Sequence, residues 1–150
     1  MATKEDYQVK QILTKETYLV RHPILRTGKP LETCAFSGDD LPSTIHLGLF
    51  NNSSIIGVAS FMKNNNNEFF KKSQYQLRGM AIIETFQGKG LGKMLLRKGE
   101  QLLKDKKTGL IWCNARIKAI NFYKRNGYKI TGVPFEIPEI GKHYIMYKLI

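Results

Sequence analysis

The run Gln87-Gly88-Lys89-Gly90-Leu91-Gly92 is where residue type and spacing point most directly to chemistry. It lies between a long strand-like segment, 74–83, and an amphipathic stretch, 90–106. A helix start exposes unpaired backbone N–H groups and carries a partial positive charge. Glycines at that point let an anion approach the main chain with no Cβ in the way. Charge-assisted hydrogen bonds contribute about 1.5–3 kcal/mol each, so several together can anchor a diphosphate against the entropy of association. Lys89 adds a screened positive charge. Gly-x-Gly also opens helices for conformational reasons alone, so the position of the run carries more weight than its glycine count. Two phosphate-binding alternatives fail on spacing. Leu95 occupies the last glycine position of a dinucleotide fingerprint counted from Gly90, and Met94 follows Gly92-Lys93 where a P-loop needs Ser or Thr.

The elements that must hold this turn can be read from periodicity. Residues 7–13 alternate weakly as a first strand, and 14–25 suit one or two short helices interrupted by Pro23. Residues 28–43 are rich in turn formers and read as a loop. Segments 45–50 and 54–62 form a hairpin about Asn51-Asn52, and Asn64 to Asn67 reads as an exposed loop before strand 74–83. From 90 to 106 the period changes: Leu91, Leu95 and Leu102 share a stripe while Lys93, Arg97, Lys98, Gln101 and Lys104 face away. The apolar run 110–113 reads as a buried strand, 117–126 as a helix ended by Gly127, and 128–132 and 143–149 as closing strands. This order predicts one domain over residues 1–150, of layered α/β type with helices flanking a mixed sheet.

Bulk composition narrows the function classes. The 150 residues are 42% hydrophobic and 24% charged, a globular balance, and no apolar run approaches the roughly 18 residues of a membrane span. Residues 1–10 are polar and charged rather than signal-like, which makes a cytoplasmic location the default expectation. Cys34 and Cys113 lack a CxxC companion, and the histidines show no ligand spacing with them, so no metal is expected and the thiols read as reduced. The formal charge of +12 favours anionic ligands. Its lysines are spread along the chain rather than gathered with aromatics, which argues for general anion attraction and against a nucleic-acid groove.

Two motifs together resemble the GNAT superfamily of N-acetyltransferases, in the form of a small bacterial-type single-domain member. Gln87-x-x-Gly90-x-Gly92 is similar to that family's Gln/Arg-x-x-Gly-x-Gly/Ala signature. The run Ala119-Ile120-Asn121-Phe122-Tyr123-Lys124-Arg125-Asn126-Gly127-Tyr128 is similar to its Ala-x-x-Phe-Tyr-x-x-x-Gly-Phe/Tyr hallmark. The likeness covers 77–128 by motif and the first sixty residues by topology. It implies an α/β (α+β) fold with a mostly antiparallel central sheet, splayed into a V between strands 74–83 and 110–113. The implied activity is transfer of an acetyl group from acetyl-CoA to a primary amine, by direct attack in a ternary complex and without a metal. The acceptor is then a small-molecule amine or a protein or peptide amine, and a homodimer is an open expectation. A non-catalytic acyl-CoA sensor and a basic nucleic-acid-binding protein are the alternatives.

The resemblance also implies roles. Backbone groups of Ala81, Ile82 and Ile83 pair with the pantetheine arm; Gln87, Gly88, Lys89, Gly90, Leu91, Gly92 and Lys93 hold the diphosphate; and Asn114 sits at the cleft mouth. Tyr123 lies beside the cofactor sulfur. Amine attack on a thioester expels a thiolate, and a phenol is a competent proton donor to it. A lysine-like amine costs about 4.6 kcal/mol to deprotonate at neutral pH, so a base is expected, with Glu136 and His143 as the candidates. Arg26 and Arg78 are candidates to bind an acceptor carboxylate. His46 is a further acceptor-side candidate, although a lone strand histidine is more often a bonded core residue. Arg116 and Glu84 stand where the family often carries Asn and Pro.

Overall fold

In a computed structural model describing residues 6–150, seven strands form one sheet in the order β1-β2-β3-β4-β5-β7-β6. They are β1 (Tyr7–Gln11), β2 (Ile45–Asn51), β3 (Ser54–Lys63), β4 (Gln74–Ile82), β5 (Leu110–Arg116), β6 (Lys129–Ile137) and β7 (Gly141–Leu149). The helices are α1 (Thr14–Leu25), α2 (Leu91–Asp105) and α3 (Ile120–Arg125). Every neighbouring pair is antiparallel except β4 and β5. The expected mixed, mostly antiparallel sheet flanked by helices is therefore present.

Asn52 takes a positive φ of 55° and closes the β2–β3 hairpin, a conformation Asn tolerates better than most residues. The two strands are nearly continuous apolar runs because helices cover both faces of the sheet. Val58 joins Val20 of α1 and Ala81, whereas Ala59 belongs to the main core beneath α2. Successive residues on a strand point to opposite faces, so α1 and α2 lie on opposite sides. The apolar stripe of α2 buries Leu91, Leu95, Leu96 and Leu103. Gly99 on the same face lets the Phe61 ring lie directly against the helix, and a Cβ there would land on that ring.

Several elements differ in extent from the sequence expectation; β5, for one, runs to Arg116 rather than ending at 113. Helix α1 is continuous through Pro23, which is exposed and followed by only two more helical residues. The segment read as a loop, 28–43, contains a 3-10 helix at Leu31–Cys34. Strand β6 continues past Gly132 to Ile137 because a bulge between Thr131 and Phe135 restores its pairing with β7.

Candidate active site

The parallel pairing of β4 with β5 runs only from Gln74 opposite Leu110 to Gln76 opposite Trp112. Beyond it the strands part, while β5 keeps its pairing with β7 along its whole length, as far as Arg116. The edge of β4 after Gln76 therefore faces a cleft of about 800 Å³. A bulge bends β4 within that cleft, where Gly79 and Met80 together face Ala59 across the ladder. The expected V is thus a consequence of where pairing stops.

At one end of the cleft the chain turns into α2. Gly88 and Gly90 hold φ angles of 77° and 74°, a left-handed conformation that costs a side-chain-bearing residue roughly 1–2 kcal/mol. A Cβ at either would meet nothing within 4 Å, so the space above the turn is open. Gly90 caps α2 without any side-chain hydrogen bond, and the first turn carries no acidic residue. The amides that begin α2 are left for an external anion. The Gln87 amide nitrogen instead donates to the Ile82 carbonyl at 2.8 Å, bracing the turn against the end of β4.

The residues placed here by sequence divide in a definite way. Ala81, Ile82, Gln87, Gly88, Gly90, Leu91, Gly92, Asn114 and Tyr123 line the cleft. The Ile83 N–H is spent on the Ile56 carbonyl at 2.8 Å. Lys93 opens onto a shallow neighbouring groove that it shares with Arg97 and Lys98, and Lys89 lies over the Phe86 ring at 5.4 Å. Both ammonium groups sit beside the turn rather than in the cleft.

Tyr123 is buried on α3, edge-on to Phe122 and Tyr128. Among the described residues its hydroxyl has two hydrogen-bonding partners, both sulfurs: Met80 Sδ at 4.0 Å and the Cys113 thiol. Both are weak acceptors, so the proton is available to a better one. Burial, and then the neighbouring Cys113, push the phenol well above its ordinary value, and burial pushes the Cys113 thiol up to about 12. Both groups are protonated throughout the neutral range.

His143 of β7 is buried and reaches the cleft. Its Nδ1 lies 2.8 Å from the Gly141 carbonyl, which only accepts, so Nδ1 carries the proton. In the neutral ring Nε2 then keeps its lone pair, and it has no hydrogen-bond partner among the described residues. Glu136 is not brought to it. In the β6–β7 ladder Phe135 faces His143, while Glu136 faces Lys142 on the other side of the sheet, exposed. The side chains lining the cleft include Arg26, Arg78, Arg116, Lys118 and Arg125, but no carboxylate among the described residues.

His46 lies outside the cleft lining. It is buried between Ser60 Oγ at 2.7 Å and the Asp39 carbonyl at 2.9 Å, beside a bidentate Arg21–Asp39 ion pair with contacts of 2.8 and 3.0 Å. That pair and Phe36, which also lines the cleft, went unnoticed in the sequence. The signal available was one long cationic side chain on the apolar stripe of α1. Among the described residues no group of His, Cys, Asp and Glu is disposed to hold a metal, and no helix is long and apolar enough to cross a membrane.

Comparison with known proteins agrees with this geometry. Residues 5–128 match the acetyltransferase (GNAT) family. The chain is 37% identical over 141 residues to the uncharacterized N-acetyltransferase YitI of Bacillus subtilis, covering 94% of this chain and 95% of that protein. Among solved structures, Ard1 from Thermoplasma volcanium superposes with a TM-score of 0.76 at 18% identity, covering 96% of this chain and 97% of its own. The PaiA N-acetyltransferase from Thermoplasma acidophilum, solved with coenzyme A, does so at 0.71 and 17%, covering 97% and 99%. Motifs, splayed sheet and relatives all converge: this chain belongs to the GNAT family of acetyltransferases.

Proposed function

We propose that the protein transfers an acetyl group from acetyl-CoA to a primary amine by direct attack, with donor and acceptor bound together. The observation that carries this reading is the open start of α2. Uncapped amides and glycine turns there meet the unpaired edge of β4, and Tyr123 lines the same cleft.

The residues divide the work as follows. Amides from Gly88 to Lys93 receive the diphosphate, and the free edge of β4 pairs with the pantetheine arm as an added strand would. The acceptor nitrogen attacks the thioester carbonyl; the C–N bond forms, and the C–S bond breaks with its electron pair leaving on sulfur. Tyr123, kept protonated by burial, donates to that sulfur as its charge develops. The proton lost by the nitrogen passes to His143 Nε2, directly or through water, and among the described residues no cleft carboxylate competes for that role. Cys34 and Cys113 are both free and buried, which suits a reducing cytoplasmic setting.

The test compares acetyl-CoA with S-acetylpantetheine, which lacks the diphosphate. Calorimetry is expected to show acetyl-CoA bound at least 100-fold more tightly, and thiol release with an amine panel reports turnover. Equal affinity for the two donors would remove the diphosphate site from the account, and absence of thiol release with every amine would remove the transferase.

A further inference from the structure

Three arginines converge on one ring beside the cleft. The guanidinium carbons of Arg21, Arg78 and Arg26 lie 3.9, 5.0 and 5.1 Å from the centroid of Phe36. The carboxylate nearby, Asp39, is already engaged. It takes both terminal nitrogens of Arg21 and also accepts the Phe36 N–H at 2.7 Å. Arg26 and Arg78, both half-buried, have no ion-pair partner among the described residues. Arg26 donates to the carbonyls of Thr33 at 3.2 Å and Leu25 at 3.0 Å. Arg78 donates to the Ser37 carbonyl at 3.3 Å and touches Met62 Sδ. Neutral acceptors satisfy some of the N–H groups but leave both charges unbalanced, and partly desolvated cations favour an anion.

Resting on the transferase reading, we infer that the acceptor is an amine bearing a carboxylate, as a free amino acid does, with Arg26 and Arg78 holding the carboxylate. The location supports this division of the cleft. Arg78 lies four residues before Ile82, where β4 ends, up to about 13 Å at strand spacing, and the turn into α2 follows only after a further 3-10 turn, so Arg78 is set apart from the diphosphate end. Arg26 and Phe36 come from the chain around α1 and share the cleft with Ile137, Ile140 and His143 of the β6–β7 hairpin. Burial, and the like charges of Arg21 and Arg26, lower the Arg78 pKa although Asp39 raises it, so an incoming anion relieves an existing electrostatic cost. The absence of carboxylates from the cleft lining among the described residues points the same way. A polyamine or a bare lysine-like cation meets repulsion there, whereas a zwitterion brings its own counter-charge.

The experiment measures thiol release by the whole protein with a panel of free amino acids, each beside its amide and its decarboxylated amine. The expected result is a kcat/KM preference for the acid over its amide of about 10- to 100-fold, the range of one charge-assisted hydrogen bond. Arg78→Gln and Arg26→Gln each reduce that ratio, and Arg78→Lys restores part of it. Binding gives a second readout that needs no turnover and no variant. With CoA present, N-acetyl amino acids are expected to bind the wild-type protein more tightly than their amides. Equal or better turnover of amides and plain amines overturns the inference while leaving the transferase intact. Where no amine is turned over, the transferase reading fails, and equal or absent binding of the N-acetyl acids overturns this inference as well.

Discussion

Replacing Asp39 by Asn tests whether the cleft wall around Phe36 depends on its buried ion pair. Arg21 is fully buried, and its terminal nitrogens reach both Asp39 oxygens, the Cys34 carbonyl and Ser60 Oγ. Asp39→Asn keeps one acceptor oxygen but removes the counter-charge, and breaking a buried pair this way costs about 3–5 kcal/mol. The retained oxygen places the expectation at the low end, about 3 kcal/mol, or a fall in Tm of about 6–12 °C for a chain of this size. The pH dependence gives an independent sign. Burial raises the Asp39 carboxyl, but Arg21 and the Phe36 N–H more than offset this and hold it below 3.8. A carboxyl lowered on folding stabilises above its unfolded value and loses that contribution as pH falls through its folded one. Urea unfolding is followed by the fluorescence of Trp112, the sole and buried tryptophan. The wild-type advantage is expected in full at pH 7 and should shrink below about pH 4. A difference under about 1 kcal/mol at pH 7, or one that grows in acid, refutes the reasoning.

Other outcomes follow from the same geometry. With Tyr123 as the proposed proton donor to the departing sulfur, Tyr123→Phe should lower kcat by about 100-fold or more while leaving the KM for acetyl-CoA within a few-fold; steady-state thiol release reads both. Gly99→Ala sets a methyl against the Phe61 ring and should destabilise by about 1–3 kcal/mol in urea, as overpacking does. Cys113 and Tyr123 are both raised on folding, so their contribution is complete at neutral pH and is lost as pH rises. Thermal unfolding should therefore show stability falling above about pH 9, and Cys113→Ala should soften that fall.

How much of this was legible in the sequence depended on distance along the chain. The turn and α2 declared themselves because glycine conformation and a leucine stripe are local properties. The strand splay followed from two motifs at a family spacing, and the structure adds its cause, pairing that ends at Gln76 and Trp112. Arg21 and Asp39 lie 18 positions apart in a stretch that reads locally as helix and then loop, so nothing short-range announces their pairing. Phe36 was hidden for the same reason. Glu136 and His143 looked equally placed to serve as a base, because the cross-strand pairing that sets Phe135 against His143 and Glu136 against Lys142 is not a local property of the chain. Residues 132–134 stand against Tyr144 alone, and a period-2 pattern does not reveal such an insertion.

The most direct measurement is a crystal structure of the protein with acetyl-CoA bound. Diphosphate oxygens are expected within about 3 Å of backbone N–H groups between Gly88 and Lys93, and the thioester sulfur beside the Tyr123 hydroxyl. A cofactor whose diphosphate lies elsewhere, with the start of α2 facing only solvent, contradicts this expectation.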